Sequence, residues 1–307
     1  MKTVHCPIYV ALGGEKYVKT HHAGTQFDQP LLKKYTDKKV YHLFIERQDF
    51  QSFIGDFQKF VGESLDKGNT DALDNITSKS LDMVKCIQDD IGLTPEIEKL
   101  TLQNIDLVLK LSDGADSLKN ISTRFEKAEG SHFSQHCIMT AMIATSIGKK
   151  LNWVSDKTSS KLAFAAIMHD SALPLALWER YEMCIDPGQQ EKIKAEMTSE
   201  ELRQLNSHCT VAAELAKQWK TCPTDVDTII IQHHEKADGT GFPAKLQGHR
   251  IAPLAAIFIV SHDLAIDLIL QHGDLDIDKW ILEHKDIYGS GDFKKAIGAL
   301  MSSPKAA

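Results

Sequence analysis

Over most of this chain, apolar positions recur at three- and four-residue steps, the spacing that lines one face of a helix. Between about residues 49 and 125, Phe50, Phe53, Ile54, Phe57 and Phe60 form one stripe, read as core. Leu81, Val84, Ile87 and Ile91 form a second, and Ile105, Leu107, Val108 and Leu111 a third, before a break at Asp113-Gly114. From about residue 125 to 290 the pattern predicts a further all-helical unit, with helices over 132–151, 157–169, 199–217, 223–234 and 251–271. A terminal helical cap follows Trp280, and Ser302-Ser303-Pro304-Lys305-Ala306-Ala307 reads as a loose tail. The start of the chain differs. Stretches 7–12, 16–20 and 40–45 carry the β-branched and aromatic residues of strands, with a short helix over 28–35 that has Pro30 in its first turn. The expected fold is mainly α: a small α/β N-terminal region (1–53), a helical connecting region (54–124) and a C-terminal helical bundle (125–307).

Composition narrows the classes of function. Hydrophobic residues make up 42% and charged residues 25%, as in ordinary globular chains, and no run approaches the roughly 18 apolar residues of a membrane span. The opening Met1-Lys2-Thr3-Val4-His5-Cys6-Pro7 has no apolar signal segment, so the expected location is the cytoplasm. Net charge is −7, and Arg47, Arg124, Arg180, Arg203 and Arg250 are the only arginines. A nucleic-acid polymer, which calls for a basic face, is excluded as the main partner; a small anion needs only a local positive site. The six cysteines are scattered without a CxxC pair, which argues against a disulfide framework or a zinc finger.

Histidine changes the picture. Of 14, eight fall between His132 and His262. His132 and His136 are one helical turn apart, a spacing that can grip one metal ion. His169-Asp170 ends the apolar run Leu162-Ala163-Phe164-Ala165-Ala166-Ile167-Met168, where a buried carboxylate is expensive unless it is paired or metal-bound. His208 precedes an apolar helix face. His233-His234 closes another apolar run and leads into Glu235-Lys236-Ala237-Asp238-Gly239-Thr240-Gly241-Phe242-Pro243, a turn-rich loop. Ser261-His262-Asp263 interrupts the apolar helix 257–270. Each piece alone also suits an ordinary core or surface histidine. Together they deliver His and Asp side chains from several core helices, as a bundle-borne metal centre requires.

The order of these motifs resembles the HD-GYP family, HD-superfamily phosphodiesterases that hydrolyse cyclic di-GMP. The resemblance covers about residues 125 to 270 and is carried by His169-Asp170 and by the long motif from His233 to Pro243. It implies an HD-type metal-dependent phosphohydrolase domain within 125–307, with His136, His169, Asp170, His208, His233 and His234 as metal ligands. The family's last ligand is an Asp; ungapped spacing lands on His262 and a shift of one on Asp263, the chemically preferred choice. His132 stands where some members have a glutamate that helps hold a third metal, which favours two metals here. The departures are Phe242 for the GYP tyrosine, Leu173 for the lysine usual after the HD pair, and no Arg-Pro-Tyr tract after the last helix. The chain is similar to the unconventional members that lack the tyrosine.

The resemblance implies two divalent transition-metal ions, iron favoured and Mn or Zn acceptable, with Asp170 as the bridging catalytic carboxylate. Lys236, Lys245, Arg250 and Phe242 are the candidate substrate contacts. The implied reaction is hydrolysis of cyclic di-GMP to linear pGpG or GMP in bacterial second-messenger signalling. The competing reading is a metal-bound cyclic-dinucleotide receptor with weak or no turnover. In either case the N-terminal region is expected to regulate or to bind a protein partner.

Overall fold

The computed structural model describes residues 3, 5–13, 16–26, 29–40, 42–67, 70–113, 121, 130–152, 155–184 and 187–301. The chain divides into two compact units, Met1–Gly68 and Asn69–Ala307.

In the first unit, β1 (Ile8–Ala11) and β2 (Tyr17–His21) form an antiparallel hairpin with Val10 opposite Val18. The third expected strand, 40–45, is reduced to a bridge in which Tyr9 and Phe44 exchange backbone hydrogen bonds of 2.8 and 2.9 Å. Helix α1 (Gln29–Asp37) lies where a short helix was expected. Helix α2 (Phe50–Lys67) carries the phenylalanine stripe, but Ile54, Gln58 and Val61 are its buried row. Phe50, Phe53, Phe57 and Phe60 flank that row and are half-buried, because neighbouring residues project about 100° apart on a helix.

The second unit holds α3 (Thr70–Ile91), α4 (Pro95–Asp113), α5 (His132–Lys150), α6 (Asp156–Met168), α7 (Leu175–Tyr181), α8 (Pro187–Glu196), α9 (Ser199–Gln218), α10 (Val226–Gln232), α11 (Pro253–Leu270), α12 (Ile277–His284) and α13 (Gly291–Met301). The fold is mainly α, as expected. The contact-based division falls at residue 68, and α3 and α4 both pack on α5. The expected boundary at 124 and 125, Gly114 and the tail 302–307 lie outside the described residues.

At the centre, α5 lies against α11. Both are buried nearly all round, and α11 is apolar on nearly every side, as suits helices enclosed by others. By length and composition α11 could cross a membrane, but most of it is buried inside this bundle. The start of α5 is fixed by Ser131, whose side chain caps Ser134 N–H while its own N–H donates to Asp82 of α3 at 3.0 Å. A capping box of Thr198 and Glu201 opens α9. Helix α10 starts at residue 226 rather than 223, after Asp225 in a left-handed conformation (φ 72°). Helices α7 and α8 were not expected from the sequence.

Candidate metal centre

Six histidines and one aspartate converge where these helices end or cross. His136 and His262 project from the central α5 and α11. His169 caps the C-terminus of α6, with Asp170 next to it. His208 comes from α9, and His233 caps α10 with His234 following. His136, His169, His208, His233, His262 and Asp170 are each at most 3% exposed.

The carboxylate of Asp170 divides the cluster. Its Oδ2 lies 3.1 Å from His169 Nε2, which is 3.0 Å from His136 Nε2. Its Oδ1 lies 3.3 Å from His208 Nε2 and 3.4 Å from His233 Nε2, which are 3.3 Å from each other. Ligand atoms each about 2.0–2.2 Å from one ion stand roughly 3–3.5 Å apart at ordinary angles. The ligand atoms of His136, His169, Asp170 and His262 lie within 4.8 Å of one another, as do those of His208, Cys209, His233 and His234.

The ring tautomers fit a cation between these atoms. His169 Nδ1 donates to Ala166 O (3.0 Å), His208 Nδ1 to Leu205 O (2.6 Å) and His233 Nδ1 to Ile230 O (2.6 Å). A carbonyl only accepts, so each Nδ1 carries the proton and, in the neutral ring, each Nε2 turns a lone pair to the centre. Lone pairs on Asp170, His208 and His233 then face one another within 3.4 Å, an arrangement that calls for a proton or a metal ion. His262 Nε2, His234 Nε2 and Asp170 Oδ1 are buried without a hydrogen-bond partner. Neutral nitrogens and one carboxylate make a donor set that suits divalent transition metals.

Electrostatics agree. Burial, with the neighbouring imidazoles, holds His136 and His234 well below the ordinary histidine range and His233 at about 3. Burial raises the Asp170 carboxyl, but His169, His208 and His233 outweigh it and hold it well below the usual carboxylate range. Burial opposes charge on His208, yet Asp170 and Cys209 beside it raise its pKa above the ordinary histidine range.

The loop after His234 is folded against it. Phe242 N–H donates to His234 O (3.0 Å), and the Phe242 ring stacks on the His234 ring at 4.7 Å and 17°. A Cβ on Gly241 would lie 2.5 Å from both Glu235 Cα and His234 O, so only glycine fits this approach. The buried Glu235 accepts from Ala244 N (2.7 Å) and Leu246 N (2.8 Å), closing the loop.

Of the two alternatives for the last ligand, His262 and Asp263, the structure brings His262 to the cluster. His262 occupies the cluster, its ring 4.6 Å from that of His136. Asp263, one residue on, is turned about 100° around the helix; it accepts from His262 Nδ1 at 3.2 Å and from the Tyr288 hydroxyl, and so orients His262. His132 is exposed. Lys236, Lys245 and Arg250 are exposed on or beside the loop, and no contact joins them to the cluster among the described residues. Leu173 is fully buried; the nearby ammonium belongs to Lys85 of α3, spent on Leu173 O (2.6 Å), Ser171 O (3.2 Å) and Asp89 (2.7 Å).

The sequence reading missed three groups. Trp178 Nε1 donates to Asp170 Oδ2 at 2.7 Å, and Cys209 Sγ lies 3.5 Å from His208 Nε2. Glu182, which ends α7, is buried 3.7 Å from His234 Nε2; burial and the Asp170 charge push its carboxyl up to about 7. The signal for the last was faint: a Trp and a Glu four apart in a short stretch that otherwise reads as charged surface.

Comparison with known proteins follows the same lines. Residues 122–265, just under half of the chain, match the family described as HD domain. The solved structure of "Bd1817, a HDG"Y"P protein from Bdellovibrio bacteriovorus" is similar in fold, with a TM-score of 0.63 over 98% of this chain and 94% of that one, at 19% identity. No curated protein matches the sequence significantly. The family match and the likeness in fold agree with a helical bundle of the HD type, and the buried His and Asp cluster is one that could hold a metal ion.

Proposed function

We propose that the chain is a metal-dependent phosphodiesterase acting on cyclic di-GMP in the cytoplasm, giving linear pGpG or GMP. The observation that carries this reading is Asp170, one buried carboxylate with each oxygen turned to a separate set of imidazole nitrogens. His136, His169 and His262 would hold one ion, and His208, His233 and His234 the other, with Asp170 on both. Two divalent ions held there, iron by family resemblance and Mn or Zn by the same donor chemistry, would supply a nucleophile at neutral pH and neutralise phosphate charge.

The chain's own residues do the rest. Carbonyls of Ala166, Leu205 and Ile230 fix the rings of His169, His208 and His233. Trp178 holds Asp170, and Phe242 covers one face of His234. Such rigidity matters because phosphoryl transfer asks mainly for positioning and charge neutralisation. The exposed Lys236, Lys245 and Arg250 are free to meet substrate phosphates. The exposed Leu12, Tyr17, Val18, Leu43 and Phe44 support a protein-contact or regulatory role for the N-terminal unit.

A second reading, a cyclic-dinucleotide receptor, draws support from Leu173 and Phe242, which leave out a cation and a hydroxyl that the family resemblance calls for. Turnover separates the two. Protein loaded with Fe or Mn is expected to release linear product slowly, with no product from Asp170→Ala or His234→Ala and a smaller loss in Lys236→Ala. Tight binding with no product above the Asp170→Ala control supports the receptor. Neither binding nor cleavage removes cyclic di-GMP as the ligand.

A further inference from the structure

Helix α7 turns two side chains of one face to the cluster. Trp178 meets Asp170, and Glu182, one turn on, reaches further in. Glu182 is 7% exposed, and its Oε1 is buried without a hydrogen-bond partner. A Glu182 carboxylate oxygen, a His234 nitrogen and a His262 nitrogen all lie within 4.8 Å of one another, and Oε1 itself is 3.7 Å from His234 Nε2. The Nε2 atoms of both histidines are also buried without a partner.

A carboxylate kept from water with an idle oxygen destabilises a fold unless something cationic meets it. No lysine or arginine pairs with it among the described residues, and the atoms it faces are imidazole nitrogens. The Oε1–Nε2 separation of 3.7 Å to His234 is too long for a hydrogen bond yet within the roughly 4.3 Å limit for two ligands of one ion. His262 and His234 also belong to different halves of the centre.

We propose that Glu182 is a ligand of the metal centre, a second carboxylate linking the halves through His262 and His234 as Asp170 links them through His169, His208 and His233. The inference rests on the metal-centre reading above. Neutral imidazoles bring no charge, so Glu182 doubles the anionic charge of the ligand set from one carboxylate to two. It is supplied from the helix that follows the HD turn, where this chain departs from the family pattern at Leu173.

The test is a titration of metal-free protein with Mn²⁺ alone, read by the electron paramagnetic resonance of free Mn²⁺, beside thermal melts with and without metal. In Glu182→Gln the affinity for at least one ion should fall about tenfold or more, or one ion per chain should be lost. The metal-free Tm should stay level or rise, because an unpaired buried carboxylate has been neutralised, and the Tm gain on adding Mn²⁺ should shrink. Glu182→Met, apolar and of similar volume, should behave alike. Unchanged Mn²⁺ binding in both variants overturns the proposal and leaves the metal centre standing. A lower metal-free Tm in both, or failure of both to fold, also overturns it, since Glu182 would then serve the fold. No Mn²⁺ bound by the unmodified chain defeats the metal-centre reading itself.

Discussion

His234 shows how a motif can serve one side chain. Gly241 lets the loop back approach it, Phe242 stacks on its ring, and Glu235 closes the turn from behind. Two substitutions in this loop should therefore behave differently. Phe242→Tyr adds one oxygen to a half-buried ring, so it should fold normally and keep its metal, as elemental analysis and circular dichroism would report. Gly241→Ala forces backbone apart and should cost about 1–3 kcal/mol in urea unfolding, with weaker metal binding as His234 shifts. Loss of metal in Phe242→Tyr together with none in Gly241→Ala would mean the loop does not position His234. Residue types and spacing made His136, His169, Asp170, His208, His233 and His234 legible in the sequence, because each interrupts or ends an apolar run. The choice between His262 and Asp263 was not legible. Helix α11 is apolar on nearly all sides, so its sequence carries no phase to say which neighbour faces inward.

Helices announced themselves in proportion to their length and periodicity. Those of α5, α6, α9 and α11 fall within two residues of the expected bounds. The short α7 did not, since seven residues hold barely two turns of pattern, and Glu182 went unseen with it. The strand expected over 40–45 failed for a related reason: alternation over six residues cannot say whether a partner edge exists, and among its described residues only Phe44 finds one. Between elements, Lys85 matters most. Its ammonium ties α3 to the turn after Asp170, and it is 2% exposed. Lys85→Met should leave the Leu173 carbonyl short of a donor, while Ser171 O keeps Gln88 Nε2 at 2.8 Å, and should destabilise the metal-free protein by about 1–3 kcal/mol in urea unfolding. An unchanged midpoint would show that the turn holds without α3.

The centre draws side chains from α5, α9 and α11 and from the ends of α6, α7 and α10, so occupancy couples most of the second unit. Anything that binds the folded chain alone stabilises it. The mainly α architecture, the match of 122–265 to the HD domain family and the buried ligand cluster are consistent with one another: idle lone pairs at the core of a bundle suit a cation. The N-terminal unit contributes none of these side chains, which is why its sequence, read for chemistry, offered only a fold class. The central claim is that Asp170 joins two metal positions, and metal content per chain tests it most directly, measured by elemental analysis on protein purified without chelator. The account predicts about two transition-metal ions in the unmodified chain and at least one fewer in Asp170→Ala. No bound metal in the unmodified chain, even after anaerobic reconstitution with Fe or Mn, would contradict it.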